Sequence, residues 1–233
     1  MQKSSQRSQK NLRFYLQAGN LAKKVLLTVA IALIILLVWV VFFYGRNSFD
    51  QRVFDLVRPH ITADRTRTMG LISFLGKHSF LLPVIFLMIG YFIFKKNRWM
   101  VIRSSAVLLS SLLLMTVLKR LMHRNRPPDP LVDGITNFSF PSGHAVMSVA
   151  FYGLLIWYAS VTIKTRWVRW LLILLLLFII AAIGFSRIYL RVHYATDVVA
   201  GICIGFVWLD FCLWFIDKKQ TAALKANPDR SGR

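Results

Sequence analysis

The sequence predicts an all-α, polytopic membrane protein that folds as a bundle of six transmembrane helices. Hydrophobic residues make up 56% of the 233 residues, and charged residues make up only 17%. A soluble domain carries roughly a quarter charged residues. The hydrophobic residues are also gathered into long blocks, as in chains that cross the hydrocarbon core of a bilayer. The length suits one membrane domain and leaves no room for a second globular one.

Six hydrophobic blocks predict the spans, with approximate limits 25–44, 80–94, 99–118, 145–163, 167–185 and 198–216. The first block is too long for the core of a signal peptide and no small-residue cleavage site follows it, so we interpret it as a retained helix. Pro83 is expected to kink the start of the short second span. The mixed segment 45–79 predicts short amphipathic helices at the membrane surface.

These limits divide the chain into three parts. Residues 1–24 form a basic amino-terminal segment, residues 25–216 the six-span domain, and residues 217–233 a polar tail that is expected to be loosely ordered.

The net charge of +21, from 30 Lys and Arg against 9 Asp and Glu, is assigned to membrane topology and anionic lipid. A nucleic-acid partner is disfavoured because no folded soluble surface is predicted to carry it. Six spans place both termini on one side. The very short loops after the second and fourth spans are strongly basic, which favours cytoplasmic termini in a multi-pass protein of the cell membrane.

Three short polar segments stand at the ends of the predicted spans. They are Lys119 to Pro127, Phe140 to His144, and Ser186 to Asp197. The first follows the third span, the second precedes the fourth, and the third joins the fifth to the sixth. Counting spans therefore places all three on the same face of the membrane, the outer one.

The residue types in these segments suit a tetrahedral dianion. Lys119, Arg126 and Arg187 offer three cations, and guanidinium groups match phosphate oxygens in a bidentate way. Ser142 and Gly143 precede the fourth span, where free backbone N–H groups and the helix dipole favour an anion. Ser142 adds a hydroxyl donor.

Two histidines and an aspartate add the means for chemistry. His193 precedes Asp197 by four residues, so both lie on one face if the sixth helix begins there. A carboxylate that accepts from one imidazole nitrogen leaves the other free to attack. His144 is placed to protonate a leaving oxygen. In-line displacement at phosphorus thus has a candidate for each role. Singly, basic residues at helix ends usually anchor spans and a Pro-Ser-Gly string is commonly a turn; three such segments on one face favour function.

The three segments resemble the signature of the type 2 phosphatidic acid phosphatase family, which is shared with vanadium haloperoxidases and glucose-6-phosphatase. Lys-x6-Arg-Pro, Pro-Ser-Gly-His and Ser-Arg-x5-His-x3-Asp are present without departure, and the resemblance covers about residues 50–216. It implies a six-helix membrane phosphatase that acts on a lipid phosphate without a metal or other cofactor. It assigns catalysis to a nucleophile, the residue that orients it and a general acid: His193, Asp197 and His144. It assigns phosphate binding to five residues: Lys119, Arg126, Ser142, Gly143 and Arg187.

The resemblance leaves the reaction and the substrate partly open. A phosphotransferase would use the same phosphohistidine with a lipid or alcohol as acceptor. A lipid transporter is disfavoured because the polar residues cluster at one face and do not line a path through the midplane. The family's candidate substrates are isoprenoid pyrophosphates such as undecaprenyl pyrophosphate, phosphatidylglycerol phosphate, phosphatidic acid and lipid A phosphates. The oligomeric state is left open.

Other charged residues allow two further interpretations. Arg103 and Asp210 lie at similar depths from the inner membrane surface. Either they pair, or Arg103 extends to the surface while Asp210 finds water or backbone. A second basic ring around the phosphate site would favour a doubly charged lipid, such as a pyrophosphate, over a monoester. Its candidate members are Arg120, His123, Arg124 and Arg191.

Overall fold

The computed structural model describes residues 2–43, 48–134 and 137–226, with side chains from Leu21 onward except that of Leu224. Within these residues the secondary structure is helical, without a strand, which confirms the predicted all-α class. Eight α-helices follow one another, and a short 3₁₀ turn (Arg58–His60) separates the second from the third. The helices are α1 (Gln2–Phe43), α2 (Ser48–Val57), α3 (Ala63–Phe74), α4 (His78–Phe94), α5 (Arg98–Met122), α6 (Gly143–Thr162), α7 (Arg166–Tyr189) and α8 (Ala195–Ala226).

Six stretches of helix are long and apolar enough to cross a membrane, which confirms the predicted number of spans. They are Leu21–Phe43, Ala63–Phe94, Arg98–Met122, Gly143–Thr162, Arg166–Tyr189 and Ala195–Ala223. Large apolar side chains point outward from the bundle; Leu87 and Phe178, for example, are 75% and 69% exposed. Exposing so many apolar groups to water is unfavourable, so a lipid bilayer must cover them. The chain is a multi-pass membrane protein.

The segment between the first two predicted spans differs in part from the expectation. Helix α2 is the expected short amphipathic helix, and it buries Asp50, Phe54 and Val57. Helix α3, which was expected at the surface, leads into α4 through a three-residue turn and packs along α7. The hydroxyl of Tyr152 donates to the carbonyl of Leu75 over 3.0 Å and ties this turn to α6.

The expected tail is helical as far as Ala226, because its first residues have partners in the bundle. Arg103 donates to the carboxylate of Asp217 and to the side-chain oxygen of Gln220. Asp210 pairs instead with Lys23 at 2.5 Å. The alternative in which Arg103 pairs with Asp210 is therefore wrong, since each residue pairs with a different residue of opposite charge. The polar residues that flank the first span likewise continue its helix.

Helix α6 lies at the centre of the bundle, against α5, α7 and α8. Two glycines let α8 approach it closely. A Cβ atom at Gly201 would lie 2.8 Å from the carbonyl oxygen of Ser142, and one at Gly205 would lie 2.9 Å from the Cβ of Val149. Small residues four apart permit this close packing of membrane helices. The contact places the first turn of α6 beside the first turn of α8.

Candidate functional site

The three polar segments meet at one end of the bundle, which we call the site end. The last turns of α5 and α7 and the first turns of α6 and α8 lie there. Backbone hydrogen bonds join the segments: Ser142 N–H donates to the Asp197 carbonyl over 3.1 Å, and Ser139 N–H donates to the Arg124 carbonyl over 2.8 Å. The structure brings all eight predicted site residues to this end.

His193 lies in the turn before α8 and is 1% exposed. Because the helix begins only at Ala195, the expected alignment of His193 with Asp197 on one helical face is not what joins them. The imidazole Nδ1 lies 3.6 Å from the nearer Asp197 oxygen, Oδ2. The Ser139 hydroxyl lies between them, 3.3 Å from Nδ1, and donates to the same carboxylate oxygen.

Ser139 is a site residue that the sequence analysis missed. It is completely buried and stands three residues before Ser142. A small hydroxyl residue directly before the Phe-Pro-Ser-Gly-His string was the available signal. Its hydroxyl gives the histidine and the aspartate a common partner.

Burial lowers the pKa of His193 to about 4, Asp197 partly opposes this shift, and Arg126 and Arg187 add to the lowering. The ring is therefore neutral at physiological pH. Its Nδ1 faces Ser139 and Asp197, whereas its Nε2 lies 3.4 Å from a terminal nitrogen of Arg126. A proton on Nδ1 leaves the lone pair of Nε2 directed toward the cations, where it can act as a nucleophile.

The three predicted cations bond to neutral oxygens. Lys119 Nζ donates to the Phe138 carbonyl over 2.6 Å, and Arg126 Nε donates to the Asn137 carbonyl over 2.6 Å. The Asn137 side-chain oxygen accepts from both Lys119 and Arg126. Arg187 donates to the Ser73 hydroxyl over 2.5 Å. In the described parts of the chain, no carboxylate forms an ion pair with any of these three cations.

Burial lowers the pKa of Arg126, and Asp197 opposes the shift. A guanidinium nevertheless keeps its charge at neutral pH. Among the described residues, the site end therefore holds three positive charges that form no ion pair with a carboxylate. Such an arrangement is suited to an anion that carries more than one charge.

Two buried polar atoms of the predicted phosphate-binding residues have no hydrogen-bond partner among the described residues: the hydroxyl oxygen of Ser142 and Nε of Arg187. Buried polar groups are almost always paired, because an unpaired one costs free energy. Ser142 is the N-cap residue of α6, where backbone N–H groups are also available. These atoms are donors suited to the oxygens of a bound phosphate.

Gly143 has a packing role that the sequence did not predict. A Cβ atom at this position would collide with the sulfur of Met115, so the space above its backbone is taken by α5. The glycine therefore lets α5 and α6 approach each other, and its part in phosphate binding stays a prediction. Lys119 Cε would lie 3.6 Å from the same Cβ, which shows that the cation is adjacent.

The turn between α3 and α4 forms a wall of the site that the sequence analysis did not assign. A Cβ at Gly76 would lie 3.2 Å from Cδ2 of His144, so the turn packs against this ring. His144 lies in the first turn of α6 and is partly exposed. Ser73, the partner of Arg187, comes from the last turn of α3.

The predicted second basic ring is wrong for Arg124, whose guanidinium binds the carboxylates of Asp197 and Asp50. Arg191 lies over the ring of Phe54 in α2, at 5.6 Å, and lines a separate cavity of about 210 Å³. His123 packs edge-on against Phe138, at 4.5 Å between ring centroids. These side chains have partners on other elements, which sequence spacing could not reveal.

Six membrane spans and a cationic site with a buried neutral histidine define a membrane enzyme that acts on an anionic group. Comparison with known proteins agrees. A family model for the PAP2 superfamily matches residues 100–221. Phosphatidylglycerophosphatase B of Bacillus subtilis is 33% identical over 150 residues, which are 64% of this chain and 73% of that protein. An undecaprenyl-diphosphatase of Sulfolobus acidocaldarius is 28% identical over 170 residues, 70% of this chain and 76% of that protein.

A solved structure has the same fold. The crystal structure of a transmembrane PAP2-type phosphatidylglycerolphosphate phosphatase from Bacillus subtilis superposes with a TM-score of 0.74 at 25% identity. The superposition covers 82% of this chain and 96% of that one. The chain belongs to the PAP2 superfamily, and it is a membrane lipid phosphatase, a hydrolase of phosphate esters.

Proposed function

We propose that this protein removes phosphate from a membrane lipid through a phosphohistidine formed on His193, without a metal ion. One observation carries the proposal: a buried, neutral His193 presents Nε2 to cations that have no carboxylate partner. A neutral imidazole is a nucleophile, and unneutralised cations stabilise the charge that develops on phosphoryl oxygens.

In the first step Nε2 of His193 attacks phosphorus while the bond from phosphorus to the lipid oxygen breaks. His144 donates a proton to that oxygen, and the dephosphorylated lipid leaves. Three cations and the Ser142 hydroxyl hold the phosphoryl oxygens, in place of the divalent metal of other phosphatases. In the second step water attacks phosphorus, His144 accepts its proton, the phosphorus–nitrogen bond breaks and inorganic phosphate is released.

Asp197 and Ser139 keep the remaining proton of His193 on Nδ1 during both steps. The ring gains positive character when Nε2 becomes phosphorylated, and the Asp197 carboxylate stabilises that charge. Both residues are completely buried, so water does not compete with this contact.

We propose a lipid phosphate monoester with a small head group as the substrate, such as phosphatidylglycerol phosphate. The loop from Pro127 to Pro141 is short and cannot enclose a large glycan. The relative from Bacillus subtilis is named for the same lipid class. The case for a pyrophosphate is weaker by one of the four candidate residues of the second basic ring, because Arg124 binds Asp50 and Asp197.

Phosphate release from the protein purified in detergent tests this function. Phosphatidylglycerol phosphate, phosphatidic acid and undecaprenyl pyrophosphate are compared in excess EDTA, with vanadate as an inhibitor that mimics five-coordinate phosphorus. Turnover and an acid-labile phosphoenzyme are expected for the native protein and absent in His193→Ala. His60→Ala, which changes an exposed histidine, is the control.

Two results would contradict the mechanism: dependence of activity on added magnesium after EDTA, or phosphoenzyme in His193→Ala. Transfer of label to an added alcohol without release of phosphate would instead identify a phosphotransferase.

We also propose cytoplasmic termini and a site on the outer face of the cell membrane, because the short loops 95–97 and 163–165 lie among basic residues. Single cysteines in a chain without Cys203 and Cys212 test this orientation. An impermeant thiol reagent is expected to label Asp133→Cys in intact cells and to leave Lys95→Cys unlabelled. The opposite pattern would place the site on the cytoplasmic face.

A further inference from the structure

A second buried carboxylate lies behind Asp197, on the side away from His193, and an arginine lies between the two. Oδ2 of Asp197 faces the histidine, and it accepts from the Ser139 hydroxyl and, over 2.9 Å, from the Tyr194 N–H. Oδ1 accepts from Arg124. The other terminal nitrogen of Arg124 donates to Oδ2 of Asp50 over 2.9 Å. A continuous chain of hydrogen bonds thus runs from His193 through Ser139, Asp197 and Arg124 to Asp50.

Asp50 comes from the surface helix α2, yet it is 2% exposed. It also accepts from the backbone N–H of Thr196 over 2.9 Å and from the Thr196 hydroxyl over 2.7 Å. A buried carboxylate is stable only when it is paired and hydrogen-bonded. Asp50 meets this requirement through its hydrogen bonds with Thr196, the residue directly before Asp197. These bonds attach α2 to the first turn of α8.

The geometry of Arg124 fixes its orientation on several sides. One terminal nitrogen binds both Asp197 and, over 2.8 Å, the Thr196 hydroxyl. The guanidinium carbon lies 4.1 Å from the centre of the Tyr194 ring, which holds the plane of the group. The Arg124 carbonyl accepts from Ser139 N–H. Arg124 therefore contacts both groups that face Nδ1 of His193, Asp197 through its side chain and Ser139 through its backbone.

We propose that Arg124 and Asp50 are positioning residues for phosphoryl transfer. Arg124 holds Asp197 and Ser139 in the arrangement that keeps the proton of His193 on Nδ1, and Asp50 holds Arg124. The positive charge of Arg124 also keeps Asp197 ionised while the imidazole gains charge in the phosphohistidine. The inference rests on the proposed function. It makes the surface helix α2 a part of the catalytic apparatus, although none of its residues contacts the phosphate.

Steady-state kinetics of purified variants test the inference. The variants are Asp50→Asn, Arg124→Lys, Arg124→Gln and the double variant Asp50→Asn/Arg124→Gln. Asp55→Asn changes another carboxylate of α2, and Arg120→Gln changes an exposed arginine one turn earlier in the chain; these two are the matched controls. Each protein is assayed for kcat, KM and inhibition by vanadate.

Arg124→Gln is expected to lower kcat on the order of 10²-fold, the loss that a misplaced reacting group produces. Asp50→Asn keeps the shape of the side chain and is expected to lower kcat about tenfold by the same effect. KM and the vanadate inhibition constant stay within about threefold, because the phosphate-binding cations are untouched. The double variant is expected to be no slower than Arg124→Gln, since residues acting in series are not additive. Arg124→Lys recovers part of the loss, because it restores the charge without the planar fork.

An unchanged kcat in Arg124→Gln would overturn the inference, as would a raised KM at normal kcat or additive losses in the double variant. Loss of vanadate inhibition would also overturn it, because Arg124 would then belong to phosphate binding or to folding. His193→Ala separates this inference from the proposed function. If that variant is inactive while Arg124→Gln is normal, only the positioning role fails; if it turns over, the phosphohistidine mechanism fails.

Discussion

The two ends of the bundle hold similar charged residues in opposite arrangements. At the end away from the site, which we call the far end, Arg103 pairs with Asp217 and Lys23 pairs with Asp210. At the site end, Lys119, Arg126 and Arg187 bond to neutral oxygens and, for Arg126, to a ring nitrogen of His193, and none of them pairs with a described carboxylate. A cation beside a carboxylate is an anchor for its helix, whereas a buried cation without one can bind an anion.

The site end also contains two buried carboxylates, but they form ion pairs with groups other than these three cations. Asp197 faces Ser139, Arg124 and His193, and Asp50 faces Arg124 and Thr196. Arg124 binds both carboxylates, on the side of Asp197 away from His193. The negative charge that orients the nucleophile therefore has its own cation, and the described ion pairs leave Lys119, Arg126 and Arg187 without a carboxylate.

Replacing one arginine at each end is the strongest test of this comparison. Arg187→Gln is expected to lower kcat/KM by about 10²- to 10³-fold, the usual loss when one donor to the transition state is removed. Arg103→Gln is expected to keep kcat/KM and to lower the melting temperature, because it breaks contacts of the far end with Asp217, Gln220 and the Trp157 ring. Phosphate-release kinetics and thermal unfolding in one detergent measure both effects. Equal losses of activity would mean that the two ends do not differ in function.

A pair of glycine substitutions tests the packing that supports the site. A Cβ at Gly201 would lie 2.8 Å from the Ser142 carbonyl oxygen, which is backbone and must shift. Gly201→Ala is therefore expected to cost about 1–3 kcal/mol in the free energy of unfolding, as overpacking does, and kcat is expected to fall as well. Gly90→Ala, near the far end, meets nothing within 4 Å. It is expected to gain up to about 1 kcal/mol from helix propensity. Destabilisation of both variants to the same extent would contradict this difference.

The burial of His193 predicts a pH dependence of stability. The unfolded histidine binds a proton near pH 6.5, whereas the folded pKa is about 4. Between these values the unfolded state binds more protons, so stability falls as the pH drops from 6.5 toward 4 and this contribution then levels off. The melting temperature of His193→Gln should decline less over that range, and exposed His60→Gln should follow the native curve. Parallel curves for the native protein and His193→Gln would place the pKa of His193 near its unfolded value.

The smallest expected effect concerns the neutral oxygen that bridges two cations of the site end. The Asn137 side chain accepts from Lys119 and Arg126, so it competes with a phosphoryl oxygen for the same donors. Asn137→Ala is expected to tighten vanadate inhibition by about threefold to fivefold, because a hydrogen bond is worth about 0.5–1.5 kcal/mol net. Asp133→Ala, an exposed change in the same loop, serves as the control. Weaker inhibition by vanadate would make Asn137 a ligand-binding residue instead.

The amino-acid sequence by itself predicted the number of spans and the common end at which the three polar segments meet. Both follow from one physical constraint. The hydrocarbon core requires about 20 apolar residues for each helical crossing, and an even or odd number of crossings decides the face on which a segment emerges. The residue types and spacing of Lys119, Arg126, Ser142, Arg187 and His193 then indicated phosphate chemistry.

Only the tertiary structure decided which charges neutralise one another. Sequence position makes Arg124 a candidate for a second basic ring and Arg103 a candidate partner of Asp210. Their actual partners, Asp50 and Asp217, are 74 and 114 residues away in the chain. Ser139 likewise reaches His193 across 54 residues. Periodicity and motif spacing describe neighbours on one helix, whereas these contacts depend on which helices pack side by side. The close approach of α6 to α8 at Gly201 and Gly205 is one example of such packing. It allows the backbone N–H of Ser142 to donate to the Asp197 carbonyl.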